Sequence, residues 1–305
     1  MRTKNKVILY IKEYWQLYFL MLLPVMYFII FKYVPMFGNI LAFRRHLPGQ
    51  SPFGSEWVGL KYFKMFLLDP SFWKAFRNTF TLAILNLLLN FPIPIIFALL
   101  LNELSNIKFK KFMQTVSYMP RFLSTVVVIS MVTEILSPSG GIVNYILGTL
   151  FHIKPIYFVN EPEYFRQIYI LTDTWQWTGW TAIVYLAAIT GINSELYESA
   201  MIDGANRWQQ TINITIPSIM STIMVMFILK AGRLLSIGFE KVLLLYTPQN
   251  SSVSDIIDTF VYRVGLVQSN YSYATAVGLF GGLVGLVLVT CANKLSEKLT
   301  GEGLY

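Results

Sequence analysis

Residues 198–217 read ESAMIDGANRWQQTINITIP, a polar segment rich in small residues that lies between two strongly apolar stretches of the chain. Ser194 is a suitable N-cap for a first helix, and Asp203-Gly204 is a natural end for it. A second helix is expected to begin near Asn206 and to continue into the next apolar stretch. The segment therefore predicts a bent helix-turn-helix that joins two membrane spans.

The side chains of this segment suit contact with another protein. Small residues let a partner surface approach closely, and they are Ser199, Ala200, Gly204 and Ala205. Glu198 and Asp203 add charges that can orient the partner. The alternative is a plain polar loop that only connects two spans, and the residues alone leave both interpretations open.

The composition places the chain in a lipid bilayer. Of its 305 residues, 55% are apolar, 16% are aromatic and only 13% are charged, which is too much apolar surface for one soluble core. The formal net charge of +8 is compatible with a nucleic-acid partner. The basic residues are spread among apolar runs, however, which is typical of contacts with anionic lipid, so no nucleic acid is expected.

Metal and thiol chemistry are not expected. Cys291 is the only cysteine in the sequence and stands in an apolar run, which is typical of a small buried hydrophobe. His46 and His152 are far apart and lack a nearby pattern of carboxylates, so no metal site is predicted. The sequence also lacks a nucleophile elbow. A catalytic role is therefore not expected.

Six apolar stretches are long enough to cross the hydrocarbon layer as helices, which takes about 20 residues each. They are residues 16–36, 80–102, 113–136, 168–191, 213–236 and 272–292. The first run is too long for the core of a signal peptide and lacks a small-x-small cleavage site, so we expect a retained span. The predicted fold class is an all-α membrane protein with six transmembrane helices, in which residues 1–305 form a single transmembrane domain.

Clusters of basic residues set the expected orientation. They lie before the first span and in the short loop after the second, at Arg2, Lys4, Lys6, Lys12, Lys108, Lys110 and Lys111. Short loops rich in Lys and Arg stay in the cytoplasm, so both termini and residues 198–217 are expected there. On the opposite side, the aromatic stretch 57–80 and a helix around 255–264 are expected at the membrane surface.

Polar side chains within the predicted spans are the informative exceptions. One face of the fourth span carries a stripe with i, i+3, i+4 and i+7 spacing, made of Asp173, Gln176, Trp177 and Trp180. Lys230 and Arg233 share a face of the fifth span. A charge at mid-bilayer costs about 2.5 to 3.5 kcal/mol, so these groups are expected to face a cavity or each other.

Two interpretations of these polar faces stay open. In the first, flat tryptophan rings pack on sugar rings while the polar groups bond hydroxyls, so the two helices line a sugar path. In the second, Asp173 forms a structural ion pair with Lys230 or Arg233, and the tryptophans anchor the chain at the outer interface.

Two further groups are expected to serve packing. Arg121 and Glu134, both in the third span, are too far apart to bond each other on one straight helix. In the sixth span, small residues recur at spacings that permit close helix contact. They are Gly278, Gly281, Gly282 and Gly285.

The polar segment resembles the EAA motif of ATP-binding-cassette (ABC) importer permeases. The matching positions are Glu198, Ala200, Asp203, Gly204, Ala205, Ile214 and Pro217, while Ser199 departs from the motif by one small residue. The resemblance implies a type I ABC importer permease fold in a bacterial cytoplasmic membrane. It also implies that this loop docks in a cleft of a separate nucleotide-binding subunit.

The resemblance extends over nearly the whole chain. Sugar-importer permeases related to the larger membrane subunit of the maltose system are similar at Trp57–Phe63, Phe72-Trp73, Asn78-Thr79, Pro120 and Gly140–Asn144. The branch that handles polysaccharide fragments and complex oligosaccharides is similar at Gly238–Lys241, Leu245-Tyr246 and Asp255–Arg263. In that family the sugar lies among residues of the fourth and fifth helices, and we add Glu240 to the residues expected to line the path.

The resemblance implies a transport subunit that binds no cofactor of its own. The sequence has no phosphate-binding GxxxxGK[ST] motif, so ATP and Mg²⁺ are expected on a partner. The implied partners are a second permease subunit, two ABC ATPase subunits, an extracellular solute-binding lipoprotein and a carbohydrate. The alternative function is a proton-coupled secondary sugar transporter with Asp173 as proton carrier, although such proteins usually have internal repeats and more spans.

Overall fold

The computed structural model describes Tyr10, residues 12–51 and residues 55–300. Arg2, Lys4 and Lys6, on which the predicted orientation partly rests, lie outside the described residues. The described chain divides into two compact units. One contains the residues up to Leu68 together with Val261–Leu279, and the other contains Asp69–Phe260 and the chain from Phe280 onward.

The first unit opens with a long helix whose side chains are all exposed, as suits a span that faces lipid. Its elements are α1 (Trp15–Phe28), a π-helical turn (Ile29–Tyr33), a short helix (Val34–Met36), a 3-10 helix (Phe37–Phe43), β1 (Arg44–Arg45), β2 (Glu56–Trp57) and α2 (Lys61–Leu67). The two strands pair antiparallel, with Arg44 opposite Trp57. The Ser272 hydroxyl holds this pair by donating to the Arg44 carbonyl at 2.7 Å and accepting from the His46 N–H at 3.1 Å.

The second unit is a bundle of helices arranged around one central helix. Its elements are α3 (Pro70–Asn90), α4 (Pro92–Asn102), α5 (Ile107–Tyr118), a 3-10 turn (Met119–Phe122), α6 (Thr125–Ile135), α7 (Ile142–Phe151), α8 (Pro162–Thr190), α9 (Ser194–Ile202), α10 (Arg207–Gln210), a π-helical turn (Thr211–Thr215), a short helix (Ile216–Ser218), α11 (Met220–Gly232), α12 (Phe239–Leu245) and α13 (Ser251–Ser254). The chain then continues through α14 (Ile257–Tyr262), a π-helical turn (Arg263–Val267) and α15 (Tyr271–Thr300). The central helix is α8, which packs against α3, α4, α5 and α13.

Two clusters of buried apolar side chains hold α8 in the bundle. One joins α3, α8 and α12 around Leu82, Phe165 and Val242. The other joins α4 and α8 around Leu101 and Tyr185. Inside a bilayer, close van der Waals packing of such side chains holds helices together, so α8 is fixed from both of its ends.

The number of continuous spans differs from the predicted six. Among the described residues, three helical stretches are long and apolar enough to cross a bilayer unbroken, namely Trp15–Phe43, Pro70–Asn102 and Tyr271–Lys298. Two more spans are bent pairs, at 101° between Ile107–Phe122 and Thr125–Ile135 and at 60° between Arg207–Ser218 and Met220–Gly232. The 29-residue helix α8 corresponds to the predicted fourth span.

The prediction of one continuous third helix over 113–136 is wrong. Pro120 has no N–H to donate and so interrupts the helical hydrogen bonds. Ser124 then starts a new helix, because its hydroxyl accepts from the Val127 N–H at 3.3 Å. Arg121 therefore lies in the bend, on a different helical segment from Glu134.

The two stretches predicted at the membrane surface are organised differently. The stretch 57–80 is not one surface segment, since Asp69 caps α3 and Phe72 is fully buried. The helix predicted around 255–264 is also largely buried, with Phe260 only 3% exposed. In the first stretch buried and exposed aromatic side chains alternate, since Trp73 is 46% exposed beside the buried Phe72.

Close helix contact occurs at a glycine other than those predicted. At Gly179, α8 approaches α5 so closely that an added Cβ would lie 2.8 Å from the Ser117 Cβ and nearer still to the Ser117 carbonyl. In the described part of the chain, nothing lies within 4 Å of a Cβ added at positions 278, 281, 282 or 285. The close contact predicted for these four glycines is therefore not made by the described residues.

Replacing Gly179 by alanine is expected to destabilise the protein by about 1 to 3 kcal/mol, because the added methyl group forces α8 away from α5. The measurement is the thermal unfolding midpoint of the purified protein in detergent. Gly278→Ala is the matched control and should leave the midpoint unchanged, since it adds the same methyl group in open space. Equal midpoints for both variants would contradict the observed contact.

Candidate functional site

The second unit contains a partly open cavity of ≈ 820 Å³ that is lined mainly by α3, α8, α11 and the start of α12. All but one of the residues predicted for the path line it, namely Asp173, Gln176, Trp177, Lys230, Arg233 and Glu240. Trp180 is not among the lining residues, and its ring meets the edge of Phe122 with centroids 5.8 Å apart. The structure therefore gathers the two polar faces around one space.

Asp173 is held by an ion pair that sequence reasoning missed. The Lys241 Nζ donates to Asp173 Oδ1 at 2.7 Å, and the Asn86 amide donates to Oδ2 at 2.8 Å. Asn90 also donates to Oδ2 and accepts a hydrogen bond from Thr174. The ion pair of Asp173 with Lys230 or Arg233, one of the two interpretations left open by the sequence, is not formed within the described residues, because Asp173 pairs with Lys241.

Lys241 could not be singled out from the local sequence, because it lies well outside the predicted fifth span. In the structure its side chain is 5% exposed and its Nζ lies 5.3 Å from the centre of the Tyr169 ring. The Asp173 contact joins α12 to α8, and the Asn86 contact joins α3 to the same carboxylate. One acidic side chain therefore connects three helices.

Arg121 is a second functional candidate that sequence reasoning missed. Its guanidinium carbon lies 4.1 Å from the centre of the Trp177 ring, a cation–π distance. Its Nε is buried and has no hydrogen-bond partner in the described part of the chain. Arg121 lines the cavity rather than serving only packing, and the bend after Pro120 is what brings it there.

The side-chain amide of Gln176 makes a hydrogen bond to the backbone, which leaves it less free to bind a molecule in the cavity. Its side chain is 4% exposed, and its Nε2 donates to the Leu123 carbonyl at 3.2 Å. That carbonyl lies in the bend between the two halves of the third span, where helical hydrogen bonds are missing. Gln176 therefore stabilises the bend that positions Arg121.

The charges around the cavity do not balance. The lining carries four basic side chains, Arg121, Lys230, Arg233 and Lys241, against two acidic ones, Asp173 and Glu240. Only Lys241 and Asp173 form an ion pair within the described residues of this lining. The remaining surface is amphiphilic, since aromatic and aliphatic side chains alternate with amides and hydroxyls.

The polar loop, residues 193–217, has the predicted helix-turn-helix form. Its first helix is capped by Asn193, which accepts from the Glu195 N–H at 3.1 Å, so the predicted cap at Ser194 is one residue late. Gly204 has a φ of 79°, and the Ala205 N–H closes the turn on Ala200 at 2.8 Å.

The second helix of the loop begins as predicted. Asn206 caps it in a reciprocal pair with Gln209, with distances of 2.8 and 2.9 Å. The Tyr197 hydroxyl bonds the Thr215 hydroxyl at 2.9 Å and so ties the first helix to the chain beyond the second. The loop is thus a defined structure and more than a flexible connection.

The surface of the loop is open to a partner. Glu198, Ser199, Asp203, Gly204 and Pro217 are exposed, while Ala200, Ala205 and Ile214 are half-buried. The structure adds an apolar element that sequence reasoning missed. Ile202 is 87% exposed and Trp208 is 71% exposed, so two large apolar side chains flank the charged turn.

Comparison with known proteins identifies the family. A family model described as binding-protein-dependent transport system inner membrane component matches residues 91–299. The chain belongs to this family. The matched region contains the polar loop and most of the cavity lining, and it confirms the predicted ABC importer permease fold and a subunit embedded in the membrane.

Several relatives cover almost the entire permease. The polygalacturonan/rhamnogalacturonan transport system permease protein YteP of Bacillus subtilis (strain 168) is 47% identical over 288 residues, which are 94% of this chain and 89% of that protein. The arabinooligosaccharides transport system permease protein AraP of the same organism is 30% identical, with 92% and 88% covered.

Solved structures agree with this assignment. A chain of a bacterial ABC transporter involved in the import of the acidic polysaccharide alginate is 41% identical and superimposes with a TM-score of 0.89, covering 97% of this permease and 99% of that chain. A chain from the bacterial alginate ABC transporter in complex with alginate pentasaccharide-bound periplasmic protein has the same identity and TM-score.

Family membership decides between the function classes left open by the sequence. The family is defined as the membrane component of binding-protein-dependent transport systems, so the chain is a transport subunit. A proton-coupled secondary transporter is a different kind of protein, and this alternative is set aside.

Proposed function

We propose that this permease is one of two membrane subunits of an ATP-driven importer and that its cargo is an anionic oligosaccharide. The observation that supports the anionic cargo is the excess of basic side chains around the cavity. Arg121 and Arg233 are suited to carboxylates, because a guanidinium binds them in a bidentate manner. Trp177 offers a flat apolar face for a sugar ring.

The charge of the cavity favours an anion over a neutral sugar. A charge inside a bilayer span is costly, and within the described residues neither Lys230 nor Arg233 forms a salt bridge. Carboxylates on a saccharide would supply the missing negative charge during passage. The two relatives named above for polygalacturonan and for the acidic polysaccharide alginate are consistent with such a cargo.

In this proposal the polar loop receives the force of ATP hydrolysis. The partners are a second permease subunit, two ATPase subunits that hold ATP and Mg²⁺, and an extracellular solute-binding lipoprotein. The loop docks on an ATPase through Glu198, Asp203 and the small residues between and beside them, with Ile202 and Trp208 adding apolar contact. Both termini and the loop then lie on the cytoplasmic side of a bacterial plasma membrane.

Replacing Lys230 and Arg233 together by glutamine is expected to reduce uptake of a uronate oligosaccharide by about 100-fold or more, since each of the two lost bonds to a charged group contributes about 1.5 to 3 kcal/mol. Uptake is measured with the assembled importer in proteoliposomes. Exchanging the two cations, Lys230→Arg with Arg233→Lys, should preserve most of the uptake. Lys154→Gln, an exposed change outside the cavity lining, is the neutral control.

Two outcomes would contradict the proposal in different ways. Normal uptake by the double glutamine variant would show that the cations do not recognise the cargo. Absence of carbohydrate uptake by the wild-type importer, with all partners present and ATP hydrolysed, would contradict the transport function itself.

A further inference from the structure

A second cavity of ≈ 380 Å³ lies in the second unit, at the N-terminal ends of α3 and α8. It differs from the large cavity in both residues and position. Three basic side chains, Lys74, Arg77 and Arg166, line it together with Trp73. We refer to it as the basic pocket.

The basic pocket has positive charge without a protein counter-ion. None of its lining residues is acidic, and within the described chain none of its three cations forms an ion pair. The Nε of Arg166 is buried and has no hydrogen-bond partner among the described residues. Lys74 and Arg77 are exposed at the pocket and Arg166 is half-buried, and three like charges around one pocket attract an anion, so the pocket has the chemistry of an anion site.

The wall of the pocket is rigid. The Asn78 amide donates to the Ser252 carbonyl at 3.0 Å and to the Asp255 carbonyl at 3.1 Å. Asn78 is 4% exposed, so these bonds hold the segment around Ser252 firmly against α3. The pocket therefore exists before a ligand arrives.

The position of the pocket across the membrane matches the layer of lipid headgroups. From Phe80 to Leu101 the chain carries no acidic or basic side chain, and this stretch rises about 33 Å as a helix, close to the thickness of the hydrocarbon layer. Arg77 lies one turn before this stretch and Lys74 two turns before it. Both cations are thus at headgroup level.

The helix face below the cations suits acyl chains. Phe80 and Leu88 follow Arg77 at i+3 and i+11, so they lie on nearly the same face of α3. Leu88 is 64% exposed and Phe80 is 38% exposed. By contrast, Asn86 and Asn90 of the large cavity lie about 140° to 180° round the helix from Arg77, so on α3 the basic pocket faces away from the large cavity.

We propose that the basic pocket binds the phosphate of an anionic phospholipid, with the acyl chains lying along the exposed apolar face of α3. The lipid belongs to the leaflet opposite the polar loop, because the pocket and the loop lie at opposite ends of α8. Trp73 occupies the interface at the mouth of the pocket, the usual position of tryptophan in membrane proteins. The site is separate from the path of the cargo.

The test uses the assembled transporter purified in detergent and titrated with phosphatidylglycerol, phosphatidylcholine or inorganic phosphate. Native mass spectrometry counts the bound lipids, and the thermal unfolding midpoint reports their effect. The wild type should retain phosphatidylglycerol and gain stability from it, while phosphatidylcholine and inorganic phosphate should do neither. The variant Lys74→Gln/Arg77→Gln/Arg166→Gln should bind phosphatidylglycerol about 100-fold more weakly, since each cation near an anionic lipid contributes about fivefold.

Controls separate this site from a general effect of charge and from cargo binding. Arg45→Gln/Lys64→Gln/Lys154→Gln removes the same charge at exposed positions outside the pocket and should bind phosphatidylglycerol as the wild type does. Unchanged lipid binding by the pocket variant would overturn the proposal. It would equally be overturned if inorganic phosphate competed as well as the lipid, or if a uronate oligosaccharide displaced the lipid.

Discussion

Replacing Gly204 by valine is expected to reduce uptake by about tenfold or more while the ATPase subunits continue to hydrolyse ATP. Gly204 has a φ of 79°, and a β-branched residue in this backbone region costs about 1 to 3 kcal/mol. The loop can relieve this strain only by opening the turn that carries Glu198 and Asp203. The measurement is uptake and ATP hydrolysis by the same proteoliposomes.

Two companion variants test whether the turn itself transmits the force. Gly204→Asn should retain most of the uptake, because asparagine tolerates the left-handed backbone. Glu198→Lys leaves the backbone unchanged and reverses an exposed charge on the same surface, so it should uncouple hydrolysis from uptake as well. Normal uptake by both Gly204→Val and Glu198→Lys would exclude the docking role proposed for the loop.

Replacing Lys241 by methionine is expected to destabilise the protein by about 3 to 5 kcal/mol, because it leaves the Asp173 carboxylate inside the membrane without its cation. The double variant Asp173→Asn/Lys241→Met removes both charges and should recover most of that stability. Thermal unfolding of the four members of this cycle gives the coupling energy between the two side chains. Additive effects of the two single variants would contradict a coupled pair.

Comparing Lys241→Met with Arg233→Gln separates a structural role from a transport role for the basic side chains around the cavity. Arg233 is exposed and has no ion-pair partner in the described residues, so Arg233→Gln should leave stability nearly unchanged while it lowers uptake of an anionic cargo. Lys241→Met should instead lower mainly the stability of the protein. Equal losses of stability in both variants would mean that Arg233 also has a structural role.

The polar loop could be predicted from sequence because its determinants are local. A left-handed glycine ends a helix and Asn206 begins the next, and both effects act over a few residues. The single-residue error at the N-cap arose because Asn193 and Ser194 are both good caps. Which of the two becomes the N-cap depends on the path of the chain before the helix.

The partner of Asp173 could not be predicted in the same way. The periodicity of α8 showed correctly that Asp173, Gln176 and Trp177 share a face, and Lys230 was the nearest basic residue in an apolar span. Asp173 pairs with Lys241 instead, because a short helix outside the predicted spans folds back against α8. Such a return is decided by packing between distant segments and leaves no periodic signal.

By itself, the sequence determined that this chain lives in a membrane, that it is helical and that a bent polar loop interrupts its apolar spans. These properties depend on local hydrophobicity, on helix caps and on glycine, which act over one to three turns. Only the tertiary structure decided which charges meet, since it bent the third span at Pro120, brought Arg121 over Trp177 and paired Asp173 with Lys241. Ion pairs and cavities join residues far apart in the chain, so their energies are set by the fold as a whole.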